Sequence, residues 1–213
     1  IVILLDDIVS YMPSPESRKI AGVNMKTKEI FEADYNFAKA KSAFIFKTIV
    51  DPFIGKYSLI KIASGVIKSD DMLYNEAKDT EDRISKLYVL EGSRTIEVKE
   101  LHAGDIGAIG KLNASTGDTL STKANPIAYG KIEVSTPYTY KRYRAKVKGE
   151  EDKIAQALAK MAQEDLTLKV VNDGENRQTL LYGMGDQHLD IIASQLLSKY
   201  KVEMMLEKPK VAF

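Results

Sequence analysis

Residues 178–211, QTLLYGMGDQHLDIIASQLLSKYKVEMMLEKPKV, constrain the fold more than any other stretch of this chain. Gln178–Tyr182 is a short apolar run, and Gly183-Met184-Gly185 breaks it. Leu189, Ile192, Ala193, Leu196, Leu197 and Tyr200 then recur at i, i+3, i+4, i+7, i+8 and i+11, the spacing of a helix with one apolar face. Val202–Leu206 reads as another strand. Asp186 stands where a carboxylate can accept from the open N–H groups of a first helical turn, so it is expected to cap that helix.

The same alternation begins earlier. Tyr143, Ala145 and Val147 alternate with Arg142, Arg144, Lys146 and Lys148, which predicts a strand with one apolar and one basic face. Ile154, Leu158 and Met161 predict a helix over 150–164, Leu166–Val171 a strand, and Asn172-Asp173-Gly174 a hairpin turn. The resulting order is βαββαβ, the ferredoxin-like split βαβ unit, assigned to residues 138–213.

Upstream the period is two. Phe44, Phe46, Thr48 and Val50 alternate with Ile45, Lys47 and Ile49, and the turn signal Asp51–Lys56 follows. Tyr57–Ser64, Met72–Asn75, Arg83–Leu90, Thr95–Val98 and Ile106–Lys111 are further strand candidates, so residues 41–125 are expected to form a small antiparallel β-barrel. The fold class is therefore α+β. Leu4, Leu5, Ile8, Val9 and Met12 predict a helix that Pro13 and Pro15 stop. Residues 1–40 are expected to be the tail of a preceding domain and a linker, with a short strand at Ile30-Phe31, because the sequence opens on Ile rather than Met.

Composition bounds the chemistry. With 31 Lys+Arg against 30 Asp+Glu, no global attraction to nucleic acid or membrane exists, and any such binding requires a local patch. No DNA or membrane partner is expected. The absence of Cys excludes disulfides and thiolate metal sites, and two His are too few for a His-based metal centre. A reducing, cytoplasmic compartment is the easier fit.

Two ordered sets of residues resemble elongation factor G. One runs Phe46-Lys47-Thr48, Asp51-Pro52-Phe53-Ile54-Gly55-Lys56-Tyr57-Ser58, Ser64-Gly65, Leu73-Tyr74-Asn75, Ala103-Gly104-Asp105-Ile106-Gly107-Ala108 and Thr116-Gly117-Asp118-Thr119-Leu120, and is similar to that family's domain II. The other runs Ala157-Leu158, Glu164-Asp165, Gly183-Met184-Gly185-Asp186-Gln187-His188-Leu189-Asp190-Ile191-Ile192 and Lys208-Pro209-Lys210-Val211, and is similar to its domain III. Leu4-Leu5-Asp6 and Ser14-Pro15 look like the tail of its GTPase domain. Asp186 stands where the family usually has Glu, Gln187 where it usually has Leu, and Leu90-Glu91-Gly92-Ser93-Arg94 replaces a usual segment, which points to a divergent paralogue.

The resemblance implies a fragment that binds the ribosome through small-subunit RNA and protein. It also implies contact with the protein's own GTPase and C-terminal domains, in support of GTP-dependent translocation; ribosome recycling, drug protection and a stand-alone RNA-binding module are the alternatives. GTP and Mg²⁺ would belong to the GTPase domain. No G-x-x-x-x-G-K-[ST] loop occurs here, so no catalytic residue, cofactor or metal is expected in this chain. The contact candidates are Lys56, Arg83, Arg142, Arg144, Gly183, Gly185, Asp186 and His188. Acylphosphatase chemistry, which shares the βαββαβ order, is disfavoured by the acidic Gly149-Glu150-Glu151-Asp152 after the first strand.

Overall fold

A computed structural model describes residues 1–14, 17–51, 55–92 and 94–210. Pro15, Pro52, Phe53, Ile54, Ser93 and Val211, which enter the motifs above, lie outside the described residues. The chain divides into two compact units, Ile1–Thr48 with Lys56–Lys131, and Ile49–Gly55 with Ile132–Phe213.

The first unit opens with helix α1 (Val2–Tyr11), none of whose residues is buried. Its strands are β1 (Ile20–Asn24), β2 (Ile30–Ala33), β3 (Ser42–Asp51), β4 (Gly55–Ser64), β5 (Val66–Lys68), β6 (Met72–Asn75), β7 (Thr80–Arg83), β8 (Leu87–Glu91), β9 (Arg94–Val98), β10 (Glu100–His102), β11 (Ile106–Gly110), β12 (Thr119–Ser121) and β13 (Ile127–Tyr129). An eight-stranded sheet runs β7-β6-β12-β3-β4-β11-β8-β9, β5 pairs with β10, and β13-β1-β2 form a third sheet. Side chains from the first two of these sheets, among them Ile45, Ile60, Ile67, Leu73, Leu101 and Leu120, converge on one core.

The closed barrel expected from the sequence is not found. Among the described residues no pairing joins the edge strands β7 and β9. Both edges resist further pairing: β7 is Thr80-Glu81-Asp82-Arg83, and β9 presents Arg94 and Glu97 to solvent, the charged edges by which antiparallel sheets avoid extension. The single strand expected over 83–90 is two, because Arg83 ends β7 and Ile84 drops into the core before β8 begins. The strand at Ile30-Phe31 is present as β2. It pairs with β1, whose partner β13 falls between the 41–125 and 138–213 segments, where no strand is expected from the sequence. A small second core of Ala33, Ala63, Ile127 and Tyr129 holds that sheet.

The second unit contains β14 (Thr139–Ala145), α2 (Glu151–Glu164), β15 (Lys169–Asp173), β16 (Gln178–Gly183), α3 (Asp186–Tyr200) and β17 (Met204–Glu207). The sheet order is β15-β16-β14-β17 with every neighbour antiparallel, which puts the first strand between the third and the fourth as a split βαβ requires. The turn sits at 174–177, because Asn172 and Asp173 are still paired with Thr179 and Gln178.

Ile154, Ala157, Leu158 and Met161 of α2 and Leu189, Ile192 and Leu196 of α3 are buried with Leu181 and Met204, and Tyr143 and Ala145 pack against them. Both helices therefore cover one sheet face. Side chains alternate along a strand, so Tyr140, Arg142 and Arg144 occupy the other. Burial pushes the Tyr143 phenol above its ordinary range.

Candidate functional site

The basic face of β14 is a ladder of ion pairs. Arg142 Nε donates to Glu207 Oε2 at 2.8 Å and Arg144 Nε to Glu207 Oε1 at 2.6 Å. Lys146 Nζ donates to Glu203 Oε1 at 2.6 Å. β14 lies antiparallel to β17 with Arg142 opposite Glu207, so register alone brings the opposite charges together. The Arg142 hydrogen bonds, then those of Arg144, hold the Glu207 carboxyl below the usual carboxylate range. The stripe of cations in the sequence is thus partly neutralised by carboxylates from the far end of the unit. Nothing in the local pattern announced that pairing.

The turn between β16 and α3 brings Gly183, Gly185, Asp186 and His188 together. A Cβ on Gly183 would sit 2.8 Å from Leu189 Cδ2 and 2.9 Å from His188 Nδ1, so glycine lets the helix start press against the strand. Gly185 is the residue preceding the helix, with an extended backbone, and the Asp186 side chain makes no capping bond. The cap expected of Asp186 is replaced by an ion pair to Lys141 at 3.2 Å. Asp186 is the first residue of the helix rather than the one before it, and its carboxylate lies at the positive end of the helix.

His188 is tied at both nitrogens. Its Nδ1 accepts from the Met184 N–H at 3.0 Å, and its Nε2 lies 2.9 Å from Asp165 Oδ2. An acceptor at Nδ1 places the ring proton on Nε2, which donates to Asp165. The other oxygen, Asp165 Oδ1, accepts from Thr167 N–H at 2.8 Å and from Thr167 Oγ1 at 2.6 Å. Burial alone would raise the Asp165 pKa. The Thr167 hydroxyl and amide and the His188 ring outweigh it, so the carboxyl stays below its ordinary value. Asp165, the residue that ends α2, therefore links that helix to the start of α3. In the sequence Asp165 stands only within the Glu164-Asp165 motif, and no local signal pairs it with His188, 23 positions on.

In the first unit, Lys56 lies on β4 and its ammonium donates to the Ala114 carbonyl. Burial pushes the Lys56 pKa down. Arg83 lies at the exposed end of β7, 2.9 Å from Asp70. The two are separated by three strands in the sheet order and do not form a cluster. Among the described residues no three His, Cys, Asp or Glu side chains converge as metal ligands. No helix among them is long and apolar enough to cross a membrane.

Residues 40–123 match the model of elongation factor G domain 2, and residues 134–208 match that of elongation factor G domain III. The chain belongs to the elongation factor G family. A crystal structure of a protein from Thermus thermophilus superposes with a TM-score of 0.78 at 27% identity, covering 99% of this chain and 29% of that one. The chain thus spans less than a third of the length of that solved relative.

Proposed function

We propose that this chain is the ribosome-binding and interdomain-coupling portion of an elongation factor G-like translational GTPase, working in the cytoplasm. The observation that carries the proposal is the consecutive match to two domains of one family, in family order, along a chain that superposes over 99% of its length on 29% of a solved relative. The residues here do not fit GTP or Mg²⁺: the phosphate-cradling glycine–lysine motif is missing from the sequence, and no group of three or more His, Cys, Asp or Glu is placed to hold a metal ion among the described residues. GTP binding and hydrolysis are assigned to another part of the full-length protein.

This portion would couple nucleotide state to movement by rigid-body reorientation of its two units. Thr119–Ser121 and Ile127–Tyr129 are strands of the first unit and the next strand starts at Thr139, so the pivot of that motion is assigned to residues 130–138. The two units meet small-subunit RNA and protein, the protein's own GTPase domain and its C-terminal domains. The turn that holds Gly183, Gly185, Asp186 and His188 supplies a stiff contact surface, because hydrogen bonds from two helices converge on it.

Co-sedimentation of the full-length protein with ribosomes tests the proposal. The expected result is a pelleted fraction that rises when a non-hydrolysable GTP analogue is present. Absence of any ribosome-bound fraction under those conditions refutes it.

A further inference from the structure

The sheet face turned away from the two helices carries aromatic side chains on its two central strands. Tyr140 of β14 and Tyr182 of β16 are direct cross-strand partners. Their rings stack with centroids 4.9 Å apart and planes 24° from parallel. Tyr140 is 44% exposed, and Tyr138, just before the strand, is 74% exposed. Large apolar rings left in water on a sheet face, already stacked, are the opposite of what a solvated face selects.

The charges around them have one sign in excess. Lys169 lies directly across from Tyr182 on β15, is exposed, and its side chain has no ion pair or hydrogen bond among the described residues. Arg142 and Arg144 follow Tyr140 on the same face of β14 and share the single carboxylate of Glu207. Of the other acids here, Glu203 pairs with Lys146, and Asp173 lies at the far end, engaged by Asn176 and Gln178. Gln178 is in turn held by the Lys210 backbone at 3.0 and 2.8 Å, so the exit segment closes that end. What stays open is the tyrosine end. There a cleft of about 500 Å³ runs along Lys169, Val171, Tyr182 and Leu166 to Val134 and Pro137. That volume is in the range of sites that take one small ligand.

We infer that the outward sheet face of the second unit binds single-stranded RNA, with bases stacked on the Tyr140–Tyr182 pair and phosphates met by Lys169 and Arg144. A four-stranded βαββαβ sheet with aromatics on its central strands is the arrangement by which such sheets stack unpaired bases. Aromatic platforms edged by cations bind single strands without needing a charged protein overall. Flat stacked rings beside an unpaired lysine fit a nucleotide better than a peptide, which would ask for apolar pockets. The inference rests on the ribosome-binding reading and refines its partner to an unpaired segment of RNA.

The test uses the 213-residue chain with fluorescein-labelled single-stranded oligoribonucleotides of about 8 nucleotides, longer than the two or three bases that such a sheet stacks. With 11 Tyr and no Trp, tyrosine quenching reports stacking directly. Binding is read by anisotropy at several salt concentrations. Tyr140→Ala and Tyr182→Ala should each weaken binding roughly 5- to 150-fold, the range for losing one stacked base. Tyr140→Phe and Tyr182→Phe keep the ring and should stay near wild type. Lys169→Ala should lower the salt slope by about one. Far-UV circular dichroism confirms that the alanine variants are folded.

Absence of binding by the wild-type chain, or binding indifferent to both alanine variants, overturns the inference. The same alanine substitutions in the full-length protein separate it from the broader reading. A protein that pellets with ribosomes while its isolated chain ignores single-stranded RNA leaves the functional proposal standing and this inference refuted. Loss of pelleting in the alanine variants without RNA binding by the chain makes the face a protein contact, and refutes it as well. A wild-type protein that never pellets refutes the functional proposal, whatever the oligonucleotide result.

Discussion

Asp165→Asn isolates the network that joins the two helices of the second unit. The replacement has nearly the same shape, so it opens no cavity. The oxygen of the new amide keeps both Thr167 bonds, now without a charge. Its nitrogen, however, meets the His188 Nε2–H, donor against donor, where Asp165 Oδ2 accepted at 2.9 Å. The ring cannot relieve this by moving its proton to Nδ1, because Nδ1 accepts from Met184 N–H at 3.0 Å. A hydrogen bond to a charged partner contributes about 1.5–3 kcal/mol. The side chains of His188 and Asp165 are 20% and 36% exposed, which argues for the low end. Adding the weakened Thr167 bonds gives a loss of about 2 kcal/mol.

The chain has two units and cannot be treated as a single cooperative transition. Native-state hydrogen exchange of peptides from α2 and α3 is therefore the assay, and about 2 kcal/mol corresponds to roughly 30-fold faster exchange. The pH dependence carries a sign. Asp165 has a depressed pKa in the folded state, so its contribution is present above the unfolded value of 3.8 and is lost as pH falls below it. The gap between wild type and Asp165→Asn should therefore be full at about pH 7 and close in stronger acid. A gap under about 0.5 kcal/mol at neutral pH, which is the scatter expected of a surface substitution, would refute the network. So would a gap that persists unchanged well below pH 3.8.

Gly183→Ala forces a methyl to 2.8 Å from Leu189 Cδ2 and 2.9 Å from His188 Nδ1, and should cost about 1–3 kcal/mol in the second unit by overpacking. Exchange in α3 measures it, with no change expected in the first unit. Tyr129, whose hydroxyl pairs with Ser42 at 2.6 Å, has its pKa pushed up to about 12, chiefly by burial. A raised pKa contributes stability that is complete below the unfolded value of 10.0 and lost as pH rises through about 12. The first unit should lose about 2–3 kcal/mol across that window. Tyr129→Phe should flatten the loss when alkaline unfolding is followed by circular dichroism.

The second unit was legible because its periods carry few exceptions, although Leu197, expected on the apolar face of α3, is 48% exposed. Ile154, Leu158 and Met161, and Leu189, Ile192 and Leu196, are buried where their spacing puts them. Tyr143 lies on the core face that alternation assigned to it. What the sequence concealed is pairing at a distance. Glu207 faces Arg142 only because β17 lies beside β14, and Asp165 meets His188 only because α2 ends where α3 begins. In the first unit, β5, β10, β12 and β13 are three-residue strands, too short to show a period, and none of them is among the strands expected from the sequence. Barrel closure depends on whether two edges pair, and the charges of Glu81, Asp82, Arg83 and Arg94 on those edges bore on that question more than the strand count did. Asp186 was misplaced by a single residue, which is enough to turn a cap into an ion pair.

The 213 residues carry no cysteine of their own to compete with an introduced label, which allows the most direct test of the central claim. A single Cys introduced at the exposed position of Arg83, and separately at Lys169, can carry a tethered iron chelate in a full-length protein whose cysteines outside these residues have been replaced. Hydroxyl-radical cleavage of ribosomal RNA is then mapped with the protein held by a non-hydrolysable GTP analogue. The account predicts strong, localised cuts in small-subunit RNA from the first site, and a distinct set of cuts from the second. Equal, weak cleavage spread over both subunits from either position, or none at all, would contradict it.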